Sequence, residues 1–274
     1  MAVTIEDIKK LRHLTSAGLT DCKNALIESN GDMEAAVEIL RKKGQAVAAK
    51  REDREASEGC VLSKHEGDFA AVVALKCETD FVAKNAGFVE LTQKILDAAV
   101  ANRIQNIEDL KALAIDGRSV ADLIIEETGK TGEKCELGAY ECLTAPAVTS
   151  YNHFGNKLAT IVAFNTAGAD ASVLRDIAMQ AAAMNPVAAT IEQVPEKIRQ
   201  QELEIGREKA REEGKPEAIL DRIAEGRLNK FYKESVLVEQ EFVKDPSMNV
   251  AKYLNSALAG LTVVDFKRVN LNED

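Results

Sequence analysis

Apolar residues recur at helical spacing up to Gly44, with a break at Asn30-Gly31. Thr4 precedes the first stripe with Asp7 three positions later, and Asp32 precedes the last stripe. Both arrangements are typical of N-caps, in which a side-chain oxygen accepts a hydrogen bond from a free backbone N–H. The pattern predicts three short helices that end at Gly44. Their core is thin, which favours docking onto another surface.

The next segment, residues 45–57, has small residues and then charged ones, which predicts a solvated linker between this head and a larger body, with a helical start as an alternative. The body begins with β-branched and apolar runs at 60–63 and 69–76, on either side of a turn at 65–68. This arrangement predicts a hairpin. An amphipathic helix is predicted after it, at residues 88–100.

The same pattern returns further along the chain, where apolar runs at 148–151 and 158–164 flank a second turn. Aligning the turns pairs His65 with His153, Gly67 with Gly155 and Asp68 with Asn156. A helix is predicted after each hairpin, here at 171–184. We therefore expect an α+β fold with two related core subdomains, each a small antiparallel sheet covered by helices; chance similarity is the alternative.

Residues 192–235 are highly charged and are interrupted at Gly214-Lys215-Pro216. Apolar residues there form a narrow stripe: Val194, Ile198, Ile205, Ile219, Ile223 and Phe231, with Leu220, Ala224 and Leu228 beside it. This spacing predicts an inserted antiparallel coiled-coil hairpin. A strand at 235–243, a helix at 250–258 and a strand at 260–269 are predicted after it, with the last strand returning to the second sheet.

These predictions divide the chain into four segments. Residues 1–54 form a three-helix head plus linker, and residues 55–143 form one core subdomain. Residues 144–191 and 236–274 form the second core subdomain, and residues 192–235 form the coiled-coil insertion.

Composition narrows the possible partners. The chain has 35 Lys and Arg against 45 Asp and Glu, no Trp, and 4% aromatic residues, so its net charge is −10. A negative chain with few aromatics lacks the means to bind a phosphate backbone or to stack on bases, so no direct nucleic-acid partner is expected. No apolar run is long enough for a membrane helix, and the first residues are acidic, so we expect a cytoplasmic protein without a membrane partner.

Residues that could act in catalysis or bind a metal are scattered along the chain. Five cysteines contain no C-x-x-C pair, and three histidines lie far apart, so reduced thiols and no metal site are expected. Phosphate-binding loops, dinucleotide motifs and nucleophile elbows are lacking. We therefore expect no cofactor and a protein-binding function instead of an enzyme. A thiol enzyme that pairs Cys77 with His65 is the catalytic alternative.

The local sequence of most interest is Thr79-Asp80-Phe81-Val82, where a strand pattern ends and a helical pattern begins. Thr79 is predicted to cap the new turn, with Asp80 near its N-terminus. Two interpretations of Phe81 stay open. It is either a core residue, or an exposed aromatic beside a carboxylate, a combination typical of interface hot spots.

Two stretches resemble signatures of the bacterial elongation factor Ts family: LRHLTSAGLTDCKNAL at residues 11–26 and KCETDFVAK at residues 76–84. The resemblance extends to EGRLNKF at 225–231. It implies a ubiquitin-associated-like head, two related α+β subdomains and an inserted coiled coil. Members of this family are guanine nucleotide exchange factors for elongation factor Tu, and they act by binding, without bond-making chemistry.

The resemblance also implies roles for individual residues. Thr79, Asp80, Phe81 and Val82 would form the exchange wedge, which displaces the partner's magnesium- and phosphate-binding elements. Phe81 would enter an apolar pocket of the GTPase and Asp80 would support it.

The same resemblance implies that Leu19 and Thr20 of the head, and His153 of the second half, contact the partner elsewhere. Elongation factor Tu would be bound in its GDP-bound and nucleotide-free forms, and one-to-one and two-to-two complexes both stay open. The alternative function is an adaptor whose three-helix head binds ubiquitin-like or peptide partners.

Overall fold

The computed structural model describes residues 3–15 and 17–273. It divides into two compact units. The first comprises Met1–Leu62, Val73–Tyr140 and Leu271–Asp274, and the second comprises Ser63–Val72 and Glu141–Asn270. The four-segment division of the chain stays a prediction.

The head consists of three helices, α1 (Ile5–Thr15), α2 (Leu19–Glu28) and α3 (Met33–Lys50). The N-cap predictions are confirmed. Asp7 N–H donates to Thr4 Oγ1 at 3.1 Å while Thr4 N–H donates to Asp7 Oδ2 at 3.1 Å, and Asp32 accepts from Ala35 N–H at 3.0 Å. The thin core of the head is built from buried small and aliphatic residues: Leu11, Cys22, Ala25, Leu26 and Ala36.

The predicted end of the third helix at Gly44 is wrong. Helix α3 continues to Lys50, so the first part of the predicted linker is helical, and Gly44 is buried inside the helix. At Gly44, helix α3 packs closely against another helix of the same unit: a Cβ placed on Gly129 would lie 2.7 Å from Gly44 Cα. Gly44 therefore lies within a helix–helix contact instead of ending the helix.

The rest of the first unit and the first sheet follow in chain order. The elements are β1 (Glu58–Glu66), β2 (Phe69–Cys77), α4 (Asp80–Ala83), α5 (Ala86–Ala101), α6 (Ile107–Ala112), β3 (Ala114–Ile115), β4 (Arg118–Ser119), α7 (Val120–Thr131) and β5 (Glu136–Thr144). Strands β1, β2 and β5 form a sheet in that order, with β2 in the centre. The predicted hairpin is confirmed, and Gly67 in its turn has a φ of 60°.

The second unit repeats this arrangement. Its elements are β6 (Ala147–Asn152), β7 (Leu158–Phe164), α8 (Ala171–Met184), α9 (Glu196–Glu212), α10 (Leu220–Ser235), β8 (Glu241–Phe242), β9 (Asp245–Asn249), α11 (Val250–Ala257) and β10 (Val263–Asn270). Strands β6 and β10 both pair antiparallel with the central β7. The order β6-β7-β10 matches β1-β2-β5, so the prediction of two related α+β subdomains is confirmed.

The predicted helical hairpin is also confirmed, and Leu220, Ala224 and Leu228, predicted beside the stripe, are buried. Two residues of the predicted stripe are not buried. The side chains of Ile205 and Ile219 are both 41% exposed. Instead, Gly206 of α9 lies against α10, so that a Cβ on Gly206 would be 2.9 Å from Ala224 Cα. The small residue lets the two backbones approach at this point.

The strand predicted at 235–243 is wrong for most of its length. Val236 and Leu237 are fully buried, but Leu237 N–H donates to the carbonyl of Ala188, and Gln240 N–H turns back to the carbonyl of Val236. Only Glu241–Phe242 is a strand. An isolated parallel bridge between Val236 and Ala188, together with turn hydrogen bonds, satisfies the backbone here, so the apolar run is buried without an extended ladder. Across the described ranges, 3–15 and 17–273, the helices are too short or too polar to cross a bilayer.

Candidate functional site

Phe81 is displayed on the surface of the first unit. The four-residue helix α4 follows β2 directly, and the side chain of Phe81 is 85% exposed. Ala83 is buried and Val82 is half-buried, so the helix rests on its far end. The interpretation of Phe81 as a core residue is therefore wrong, because an unpacked aromatic side chain contributes nothing to a core.

Asp80 lies beside Phe81 as the first residue of α4. Its Oδ2 accepts a hydrogen bond at 2.6 Å from Nζ of Lys84, the residue that directly follows α4. This hydrogen bond raises the pKa of Lys84 above its usual value. The surface around Phe81 thus carries a carboxylate and an ammonium group next to a large apolar side chain.

The predicted cap at Thr79 is wrong. Thr79 precedes α4, but its side chain makes no capping hydrogen bond. Instead, Thr79 Oγ1 donates to Glu133 Oε1 at 2.6 Å and Thr79 N–H donates to Glu133 Oε2 at 3.0 Å. A carboxylate with two acceptor oxygens offers both donors a charge-assisted bond, which outweighs a weaker local cap.

Glu78, the residue before Thr79, is held by two further groups. Its carboxylate accepts from Arg51 Nη1 at 2.9 and 3.0 Å and from Lys134 N–H at 2.6 Å. The backbone N–H of Lys134, and after it the guanidinium of Arg51, lower the pKa of Glu78. Because Arg51 directly follows α3, the end of the head helix is tied to the start of the 79–82 segment.

The thiol alternative finds little support in the geometry. Cys77 is fully buried, its Sγ donates to Thr79 O at 3.2 Å, and burial raises the pKa of its thiol to about 12. A thiol with so high a pKa is a poor nucleophile. His65 is engaged by Ser150, whose Oγ lies 2.8 Å from its Nδ1. Within the described residues, no cluster of His, Cys, Asp or Glu could hold a metal ion.

The other predicted site residues lie on separate elements. Leu19 and Thr20 begin helix α2 on the surface of the head, where Leu19 is 51% exposed. His153 is exposed in the turn between β6 and β7 of the second unit, and Tyr151 Oη lies 3.1 Å from its Nδ1. Thr79, Asp80, Phe81 and Val82 are adjacent, whereas Leu19-Thr20 and His153 stand apart from them in the chain.

Sequence reasoning missed three residues. Phe154, next to His153, is 97% exposed, which makes it a second displayed aromatic. Its position in a turn of the repeated pattern was a usable signal. Glu133 and Arg51 contact the start of the 79–82 segment, but they lie far from it along the chain and carry no local signature.

Comparisons with known proteins agree with this architecture. A sequence model of the family described as Elongation factor TS matches residues 78–273. A protein named Elongation factor Ts from Porphyromonas gingivalis is 61% identical over 275 residues, with all of both chains covered. One of the same name from Azobacteroides pseudotrichonymphae is 53% identical over 272 residues, covering 99% of each chain. Another, from Phocaeicola vulgatus, is 42% identical over 331 residues, with both chains fully covered. The chain belongs to the elongation factor Ts family of translation factors.

Proposed function

We propose that the chain is a guanine nucleotide exchange factor that binds GDP-bound elongation factor Tu and promotes replacement of GDP by GTP. The observation that carries the proposal is the display of Phe81, an aromatic side chain that is 85% exposed on a segment with a fixed base. Family membership supports the same proposal. No bond-making chemistry is required, because exchange is a competition between binding partners.

The proposed mechanism begins with Phe81. Its side chain enters an apolar pocket of the GTPase domain, with Asp80 supporting it through polar contacts and Thr79 and Val82 completing the wedge. This insertion displaces the elements that hold the magnesium ion and the phosphates. A bound divalent cation is the largest local positive charge at such a site, so its loss speeds GDP release. Coupling between sites is reciprocal, so GTP binding to the nucleotide-free complex expels the factor.

We propose two secondary contacts with the same partner. Leu19 and Thr20 offer a small exposed patch at the start of α2, and His153 lies beside the exposed Phe154. Exposed apolar and aromatic residues are typical of protein interfaces.

The test is release of a fluorescent GDP analogue from purified bacterial elongation factor Tu in excess GDP. Burial of a phenylalanine side chain contributes about 1.5–3 kcal/mol, so Phe81→Ala should slow the accelerated release by about ten- to a hundredfold. Its melting temperature should not change, because the side chain packs against little in the free chain. Val243→Ala, which also truncates an exposed apolar side chain, is the matched control and should act like wild type.

The exchange function and the adaptor function predict different results in the GDP-release assay. If the wild-type protein does not accelerate GDP release, the exchange proposal is refuted and the adaptor function is favoured. The head would then be tested with ubiquitin-like ligands. Acceleration that survives Phe81→Ala would show that exchange does not depend on this wedge.

A further inference from the structure

The 79–82 segment does not hold itself in place. Helix α4 has four residues, which is far below the length at which an isolated helix is stable in water. Its first residue is preceded by a threonine that makes no side-chain cap, and only Ala83 of the helix is buried. The direction in which Phe81 points must therefore be set by contacts from elsewhere in the chain.

Glu133 supplies a long-range contact to the first residue of this segment. The two oxygens of this half-buried carboxylate accept the Thr79 hydroxyl at 2.6 Å and the Thr79 N–H at 3.0 Å, across a separation of 54 residues. Since one bond holds the side chain and the other the backbone, Thr79 can neither rotate nor shift without losing a charge-assisted bond. Thr79 is two residues before Phe81.

The turn that carries Glu133 is itself fixed to helix α7. That helix is capped at its C-terminus by Gly132, whose φ of 73° is left-handed, and Glu133 N–H then donates to Thr131 Oγ1 at 3.2 Å. Cys135 N–H donates to Thr128 Oγ1 at 3.0 Å, which ties the far side of the turn to the same helix. Glu133 is thus presented from a rigid base.

We propose that Glu133 is a positioning residue for nucleotide exchange: it orients the 79–82 segment before the partner arrives, so that Phe81 enters its pocket without a prior ordering step. The proposal rests on the proposed exchange function. Contacts that are ordered in advance reduce the entropy lost on binding, and release of the segment should lower the exchange rate about tenfold. Glu133 acts through Thr79 and does not itself touch the nucleotide.

Four substitutions test the pair in the nucleotide-release assay. Glu133→Ala removes both acceptors and Thr79→Val removes the hydroxyl, so each should slow release. Thr79→Ser keeps the hydroxyl and should recover much of the rate that Thr79→Val loses. Glu133→Gln keeps one acceptor oxygen and should be intermediate. Glu108→Ala, which removes an exposed carboxylate from α6, is the charge-matched control and should have no effect.

A double-mutant cycle separates positioning from general damage. If Glu133 acts only through the wedge, Glu133→Ala should cause no further loss in a Phe81→Ala background. A loss of the same size in both backgrounds would overturn the proposal, because Glu133 would then support another part of the protein.

A measurement on the isolated chain makes the inference independent of the partner. The sequence has no tryptophan, so Phe81→Trp introduces a single reporter at the exposed position. Its time-resolved anisotropy should show a larger fast component when Glu133→Ala is added, and an unchanged component with Glu108→Ala. An unchanged anisotropy with Glu133→Ala overturns the positioning role. Failure of wild type to accelerate release refutes the exchange function instead.

Discussion

The packing of α3 against α7 predicts opposite outcomes for two glycines that face each other. A Cβ on Gly129 would lie 2.7 Å from Gly44 Cα, which is a clash with backbone that no rotamer change relieves. A Cβ on Gly44 would meet its nearest atom, the carbonyl oxygen of Ile125, at 3.5 Å, which is ordinary contact. Gly129→Ala should therefore force the helices apart, whereas Gly44→Ala should fit.

The magnitudes follow from two opposing effects. Replacing a helical glycine with alanine stabilises the helix by about 1 kcal/mol, and overpacking a close contact costs about 1–3 kcal/mol. Gly44→Ala should gain most of the helix stabilisation and incur little of the overpacking cost. Gly129→Ala should also gain the helix stabilisation but incur the full overpacking cost, so the two variants should differ in free energy of unfolding by about 1–3 kcal/mol. Gly226→Ala in α10, with no atom within 4 Å of the added Cβ, is the control for the gain alone.

Denaturant unfolding followed by circular dichroism measures these free energies, and amide hydrogen exchange locates the change. In Gly129→Ala, protection should fall in α3 and α7 and stay unchanged in the second unit. Equal stability of Gly129→Ala and Gly226→Ala would refute the argument, because the close approach of the two backbones would then carry no energetic consequence.

Two further predictions concern buried polar groups. Burial raises the pKa of the Cys60 and Cys135 thiols to about 11 each. The unfolded chain releases thiol protons near pH 8.5 that the folded chain retains, so the free energy of unfolding should fall as pH rises from about 9 to 11; a flat profile in denaturant titrations would contradict this. Gln180, fully buried, donates to Gln240 Oε1 at 3.2 Å and accepts from Val243 N–H at 2.9 Å. Gln180→Leu should cost about 1–3 kcal/mol in the same titration, whereas equal stability with wild type would show that these bonds contribute nothing.

Local signals predicted most of the elements. The Thr4–Asp7 cap, the turns at Gly67 and Gly155, and strand β7 each depend on residues close together in the chain. The resemblance located Asp80 and Phe81, and their role in exchange stays a prediction. The exposure of Phe81 could not be predicted, because a four-residue helix has too little periodicity to indicate which face is buried.

The sequence by itself determined the α+β class, the repeated hairpin-and-helix pattern and the inserted helical hairpin, because these follow from backbone preferences and hydrophobic periodicity within short windows. Tertiary structure alone decided that Gly44 continues a helix, that Gly206 forms the seam of the coiled coil and that Glu133 holds Thr79. Each of these depends on a partner distant in the chain. Steric contacts and charge-assisted bonds between residues that are distant in the chain form only when the fold brings those residues together. They then override local preferences, and no local sequence pattern can predict them.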